Sequence, residues 1–164
     1  MNAYVIDSNV PIVANGKSPQ ASPECVLHCV SALDQARDGL TCLDSLRLIL
    51  REYMSNLSLS GQPGAGDAFM KWVFQNQANE SHCELVPITL INCIEQDFEE
   101  FPDDPDLADF DRSDRKFVAV ALTSQHSPPV LNATDSDWWK WRQALERNGI
   151  EIEFLCDDQF SEER

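Results

Sequence analysis

A three-layer α/β/α domain built on a short parallel sheet is the fold the sequence predicts. Short apolar runs (AYVI, LTCL, VLNA) alternate with stretches of helical periodicity. Carboxylates stand at or just past the ends of these runs, at Asp7, Asp44 and Asp135. A length of 164 residues suits one domain, 1–164, with 156–164 read as a frayed tail.

Residues 3–7 read as a buried strand ending in a carboxylate. Ser22-Pro23-Glu24 is a helix start, with a serine cap, proline at the first helical position and an acid in the first turn. That helix runs to about Arg37, buries Val26, Cys29, Val30, Leu33 and Ala36, and ends at Gly39. Residues 40–43 form a second strand, and Asp44 or Ser45 caps a helix over 46–57. Residues 60–66 form a glycine-rich flexible loop, followed by a helix over 67–77. Residues 85–89 read as a strand or an extended segment. The acidic stretch 95–111 contains three phenylalanines, so it reads as an ordered, solvated loop packed on Phe98, Phe101 and Phe110. A helix over 114–124 turns Phe117, Val118, Ala121 and Leu122 inward. Residues 130–133 are a strand, Asp137 to Arg147 a helix ended by Asn148-Gly149, and 150–155 an edge strand.

The net charge of -16 opposes broad electrostatic attraction to nucleic acid, which depends on Lys and Arg neutralising phosphates. The polar start MNAYVIDSN is no secretory signal, and no apolar run approaches the roughly 18 residues of a membrane span. These features predict a cytoplasmic protein with reduced thiols. Of six cysteines, none forms a CxxC pair. Cys25, His28 and Cys29 share a helix, and His82 adjoins Cys83; the spacing admits zinc, but buried thiols as small hydrophobes are the preferred reading. Cys42 and Cys156 read as core residues. Two of Trp138, Trp139 and Trp141 are expected to pack inward.

The chemistry-bearing residues are carboxylates. A carboxylate after a buried strand is unfavourable unless it is paired or holds a cation. Asp7, Asp114 and Asp135 are expected to converge at the carboxyl ends of the strands, where ligands bind in such folds. Mg²⁺ or Mn²⁺, which take hard oxygen ligands, would relieve their repulsion.

VIDSN at 5–9, LRLILREY around Glu52, DRSDRKFVAVAL at 111–122 and NATDSDW at 132–138 resemble the motifs of PIN-domain nucleases, over nearly the whole chain and in the family's order. The resemblance implies a PIN-like fold and an Mg²⁺- or Mn²⁺-dependent endoribonuclease, a toxin of a toxin–antitoxin or defence system. Its partners would be an RNA substrate, an antitoxin or other protein, and a second copy in a homodimer. It implies an acidic quartet of Asp7, Glu52, Asp114 and Asp135, assisted by Asp137, with Ser8, Asn9 and Thr134 orienting the carboxylates. Arg51, Arg112, Arg115 and Lys116 adjoin these residues and are the candidate contacts to an RNA backbone. The long acidic loop departs from the family pattern and favours a rival reading, a non-cutting interaction module for a basic partner. A haloacid-type phosphatase ranks lower, because the second Asp it requires is Asn9 here.

Overall fold

The computed structural model describes residues 1–91, 96–157 and 160. Five strands form one all-parallel sheet in the order β3-β2-β1-β4-β5. They are β1 (Ala3–Ile6), β2 (Leu40–Asp44), β3 (Cys83–Val86), β4 (Val130–Asn132) and β5 (Ile152–Phe154). Parallel neighbours need crossover connections, and those joining the strands carry α1 (Asn9–Ala14), α2 (Pro23–Asp38), α3 (Leu48–Asn56), α4 (Ala65–Asn76), α5 (Arg115–Thr123), α6 (Ser136–Lys140) and α7 (Arg142–Arg147). The result is an α/β fold with helices flanking the sheet, compatible with three layers. The chain builds outward from β1 to β2 and β3, then resumes on the other side with β4 and β5. The reversal between β1 and β4 is the topological switch where such sheets hold ligands.

The core joins Val5 and Ile6 of β1, Cys42 and Leu43 of β2 and Val130 of β4 to Phe69 and Met70 of α4 and Phe117, Val118 and Val120 of α5. α5 lies against β1, β2 and β4, and every residue from Arg115 to Ala121 is buried. The four inward residues expected of it are therefore too few, because it is enclosed rather than half-exposed. Ser22 caps α2 as expected, its hydroxyl accepting from the Cys25 amide. Asp44 caps α3 by accepting from the Leu48 and Ile49 amides.

Some expectations are corrected. α1, six residues long, is absent from the sequence reading; it contains Pro11, which the first helical turn tolerates because no intrahelical N–H bond is lost there. The glycine-rich loop is shorter than expected. Gly66 lies inside α4, where a Cβ would sit 1.8 Å from the Pro11 carbonyl oxygen, so glycine lets α1 and α4 touch. β3 begins two residues early, at Cys83. The final helix is broken at Trp141 into α6 and α7.

The thiols are not all free. Cys25 and Cys156 form a disulfide, so Cys156 is a bridge end beyond β5 rather than a simple core residue, and the reduced-thiol expectation fails at this pair. The fold brings together two positions separated by 131 in sequence. The start of the tail is also packed rather than frayed: Cys156 and Phe160 are buried, and Phe160 stacks on Trp139. Cys93, Glu95 at the head of the acidic stretch, and the rest of the tail lie outside the described residues. Among the described residues, no helix is long and apolar enough to cross a membrane.

Candidate metal centre

β1 ends at Ile6, and its next residue, Asp7, is buried at the switch point. β4 ends at Asn132, and the turn that follows carries Asp135 at the start of α6. Asp114 closes a 3-10 turn that leads into α5. The three come together: Asp7, Asp114 and Asp135 each offer a carboxylate oxygen within 4.8 Å of the others. A second group of the same compactness is Asp111, Asp114 and Asp137, so Asp114 is common to both.

The geometry is held from behind. Asp7 Oδ1 accepts from the Asn9 amide at 3.0 Å and from Asn9 Nδ2 at 2.9 Å. Asp7 Oδ2 accepts from Trp138 Nε1 at 2.7 Å. Asn9 also donates to Asn132 Oδ1 at 2.8 Å and accepts from the Ala133 amide at 2.7 Å, tying the end of β1 to the end of β4. Asp135 Oδ1 accepts from the Asp137 amide at 2.9 Å as the cap of α6. Asp114 is 6% exposed, and its Oδ2 is buried without a hydrogen-bond partner among the described residues. Such an oxygen is unfavourable by roughly 1–3 kcal/mol, and more if charged.

The carboxyls register this crowding. Burial, then the charges of Asp7 and Asp135, push Asp114 up to about 10. Burial first, with Asp135 and Glu52 adding, raises Asp7 to about 7 against the hydrogen bonds from Asn9 and Trp138. Asp135 is also raised, chiefly by burial. The Asp114 and Asp135 carboxyls also hydrogen-bond to each other, and three acids that resist ionisation beside one another could hold a divalent cation. The all-oxygen donor set suits a hard ion of the Mg²⁺ or Mn²⁺ class.

The remaining expected residues divide. Glu52 lies outside the compact group of three. Its Oε1 accepts from Lys116 Nζ at 2.7 Å, and its Oε2 accepts from the Ser8 hydroxyl. Ser8 and Asn9 are in the positions expected of orienting residues, one on Glu52 and the other on Asp7. Thr134 is half-buried in the β4–α6 turn, where Asn132 makes the bridging bond to Asn9. Asn132 and Trp138 are the contributors that sequence reasoning missed. Both stand inside NATDSDW, but one read as strand and the other as packing.

Two of the four proposed RNA-contacting cations are corrected. Arg115 is buried beneath the acidic loop, where it donates to the Phe110 and Ala108 carbonyls, pairs with Asp97 at 3.2 Å and lies 4.5 Å over the Phe101 ring. Lys116 is 2% exposed and bound to Glu52 and the Ser113 carbonyl. Arg51 and Arg112 remain exposed, Arg112 at 3.8 Å from Asp97. The acidic loop is thus ordered around an arginine, as its phenylalanines suggested, with Phe98 and Phe110 buried.

No family model matches the chain, and no curated protein or solved structure matches it.

Proposed function

We propose that this chain is an Mg²⁺- or Mn²⁺-dependent endoribonuclease with a PIN-like fold, acting as the toxin of a toxin–antitoxin or defence system. The convergence of Asp7, Asp114 and Asp135 at the switch point carries this reading. The order of the four acidic motifs along the chain supports it. Asp7, Asp114 and Asp135 would hold the ion, with Asp137 and Asp111 beside the shared Asp114. When bound, a divalent ion there supplies Lewis acidity toward a phosphate oxygen and lowers the pKa of an attacking water. Asn9 and Trp138 keep the Asp7 lone pairs aimed, by three hydrogen bonds from fixed donors. Lys116 neutralises Glu52, which limits the negative charge an RNA phosphate meets on approach. Arg51 and Arg112 are the exposed cations left to receive the strand.

Cleavage of single-stranded RNA with Mn²⁺, absent in Asp7→Ala and Asp114→Ala, tests the proposal. Metal binding without cleavage of RNA, DNA or tRNA would sink it. That result would favour the second reading, a non-cutting interaction module for a basic partner. The engagement of Glu52 by Lys116 is the observation on its side, because it withdraws one of the four expected acids from an ion.

A further inference from the structure

A second cluster of ligand atoms lies apart from the carboxylates and is made of sulfur. Cys25, Cys29 and Cys156 place their three Sγ atoms within 4.8 Å of one another. Cys25 and Cys29 are one turn apart on α2 and share a face of that helix. Cys156 arrives from the segment beyond β5. All three are at most 1% exposed. Two of them form the disulfide, and the Cys29 thiol stays free beside it. A structural bridge needs only a pair of sulfurs; a third at this distance has no part in it. Three converging sulfurs are the donor set of a soft divalent ion. Tetrahedral coordination with Zn–S bonds of about 2.3 Å sets sulfurs about 3.8 Å apart, so small side-chain rotations suffice. Exposed His28, one residue before Cys29, has Nδ1 at 2.9 Å from the Leu155 carbonyl, next to Cys156.

We propose that Cys25, Cys29 and Cys156 form a three-thiolate site for an ion of the zinc class, and that the Cys25–Cys156 disulfide is its oxidised, metal-free form. A dithiol reductant delivers two electrons and two protons to the bridge, leaving thiols on Cys25 and Cys156 and becoming a cyclic disulfide. Binding of Zn²⁺ to the three thiols then releases three protons, and the loaded site carries one net negative charge.

The test uses the full chain, reduced with a dithiol and desalted without oxygen. Titration with Co²⁺ should give a thiolate-to-cobalt charge-transfer band, a signal that carboxylate-bound cobalt lacks, and the oxidised chain should give none. Cys29→Ser keeps both bridge partners and should weaken the band by about a third or more at saturation, with at least tenfold weaker Zn²⁺ binding. In the wild type, Zn²⁺ should slow alkylation of Cys25, Cys29 and Cys156 at least tenfold, mapped by mass spectrometry. This second measurement holds even if the variant misfolds. Absence of the band from the reduced wild type, or equal alkylation rates with and without Zn²⁺, would overturn the site.

Discussion

The two acidic regions of this molecule treat the same side chain in opposite ways. At the ends of β1 and β4, burial and mutual repulsion raise Asp7 to about 7 and Asp114 to about 10. On the acidic loop, hydrogen bonds from Arg147 and Asn148 and from the Asp106 amide hold Asp104 down at about 2. One region keeps its acids protonated and short of partners; the other has its charge answered by a guanidinium, an amide side chain and a backbone N–H. Counting acids cannot separate a site from a solvated face. Burial and the identity of the partner can.

The largest expected effect comes from removing the most crowded acid. Asp114→Asn should lower Mn²⁺-dependent RNA cleavage by at least about 100-fold, read in a single-turnover assay. The same substitution should raise the melting temperature of the metal-free protein, because it deletes a crowded buried acid. A metal-free variant that melts lower would break the contrast.

Next is the response to ions and pH. Mn²⁺ at about 100 times its Kd should add about 2.7 kcal/mol, or roughly 5–10 °C in a thermal-shift experiment. Without metal, the folded chain holds a proton on Asp7 that the unfolded chain releases between the ordinary carboxylate value of 3.8 and about 7. That stabilisation is complete below 3.8 and lost as pH rises through about 7, and Asp114 extends the loss to about 10. Metal-free stability should therefore fall from weakly acidic to alkaline pH, and the gain from Mn²⁺ should grow over the same range. A flat metal-free profile by urea denaturation would count against the crowding.

Lys116→Met should destabilise the fold by about 1–3 kcal/mol by chemical denaturation, because Glu52 loses its ion pair and keeps only the Ser8 hydroxyl. A neutral outcome would mean that Glu52 is well solvated at the rim. Trp138→Phe keeps the ring in the core but removes the donor to Asp7. It should weaken Mn²⁺ affinity by about tenfold in calorimetry. Smallest of all, Arg147→Ala at the end of α7 should leave RNA cleavage unchanged, since its partners Asp104 and Asp106 on the acidic loop are far in role from the rim.

Much of the sheet and three of the four expected acids were legible because each signal is local. Asp7 directly follows an apolar run, Asp114 opens a helix, and Asp135 follows a strand. α1 was hidden because six residues with an internal proline make too few turns to display a period. The pairing of Glu52 with Lys116 was hidden for another reason. It joins positions 64 apart, and a lysine beside a helix start reads as surface until the enclosure of α5 is known. The Cys25–Cys156 bridge belongs to the same class, since cysteine connectivity does not follow from spacing. Asn132 and Trp138 show that polar support arrives from residues whose first duty is to pack.

Trp138 also makes the rim an optical gauge of itself. Its indole donates to Asp7, while the Phe110 ring meets it edge-on at 5.2 Å, so the fluorophore is rigid and electrically coupled to a candidate ligand. Loading the carboxylates changes the field along that indole. Ultraviolet emission should then follow ion arrival directly, without a dye, a label or an RNA, and the Trp138→Phe chain supplies the blank.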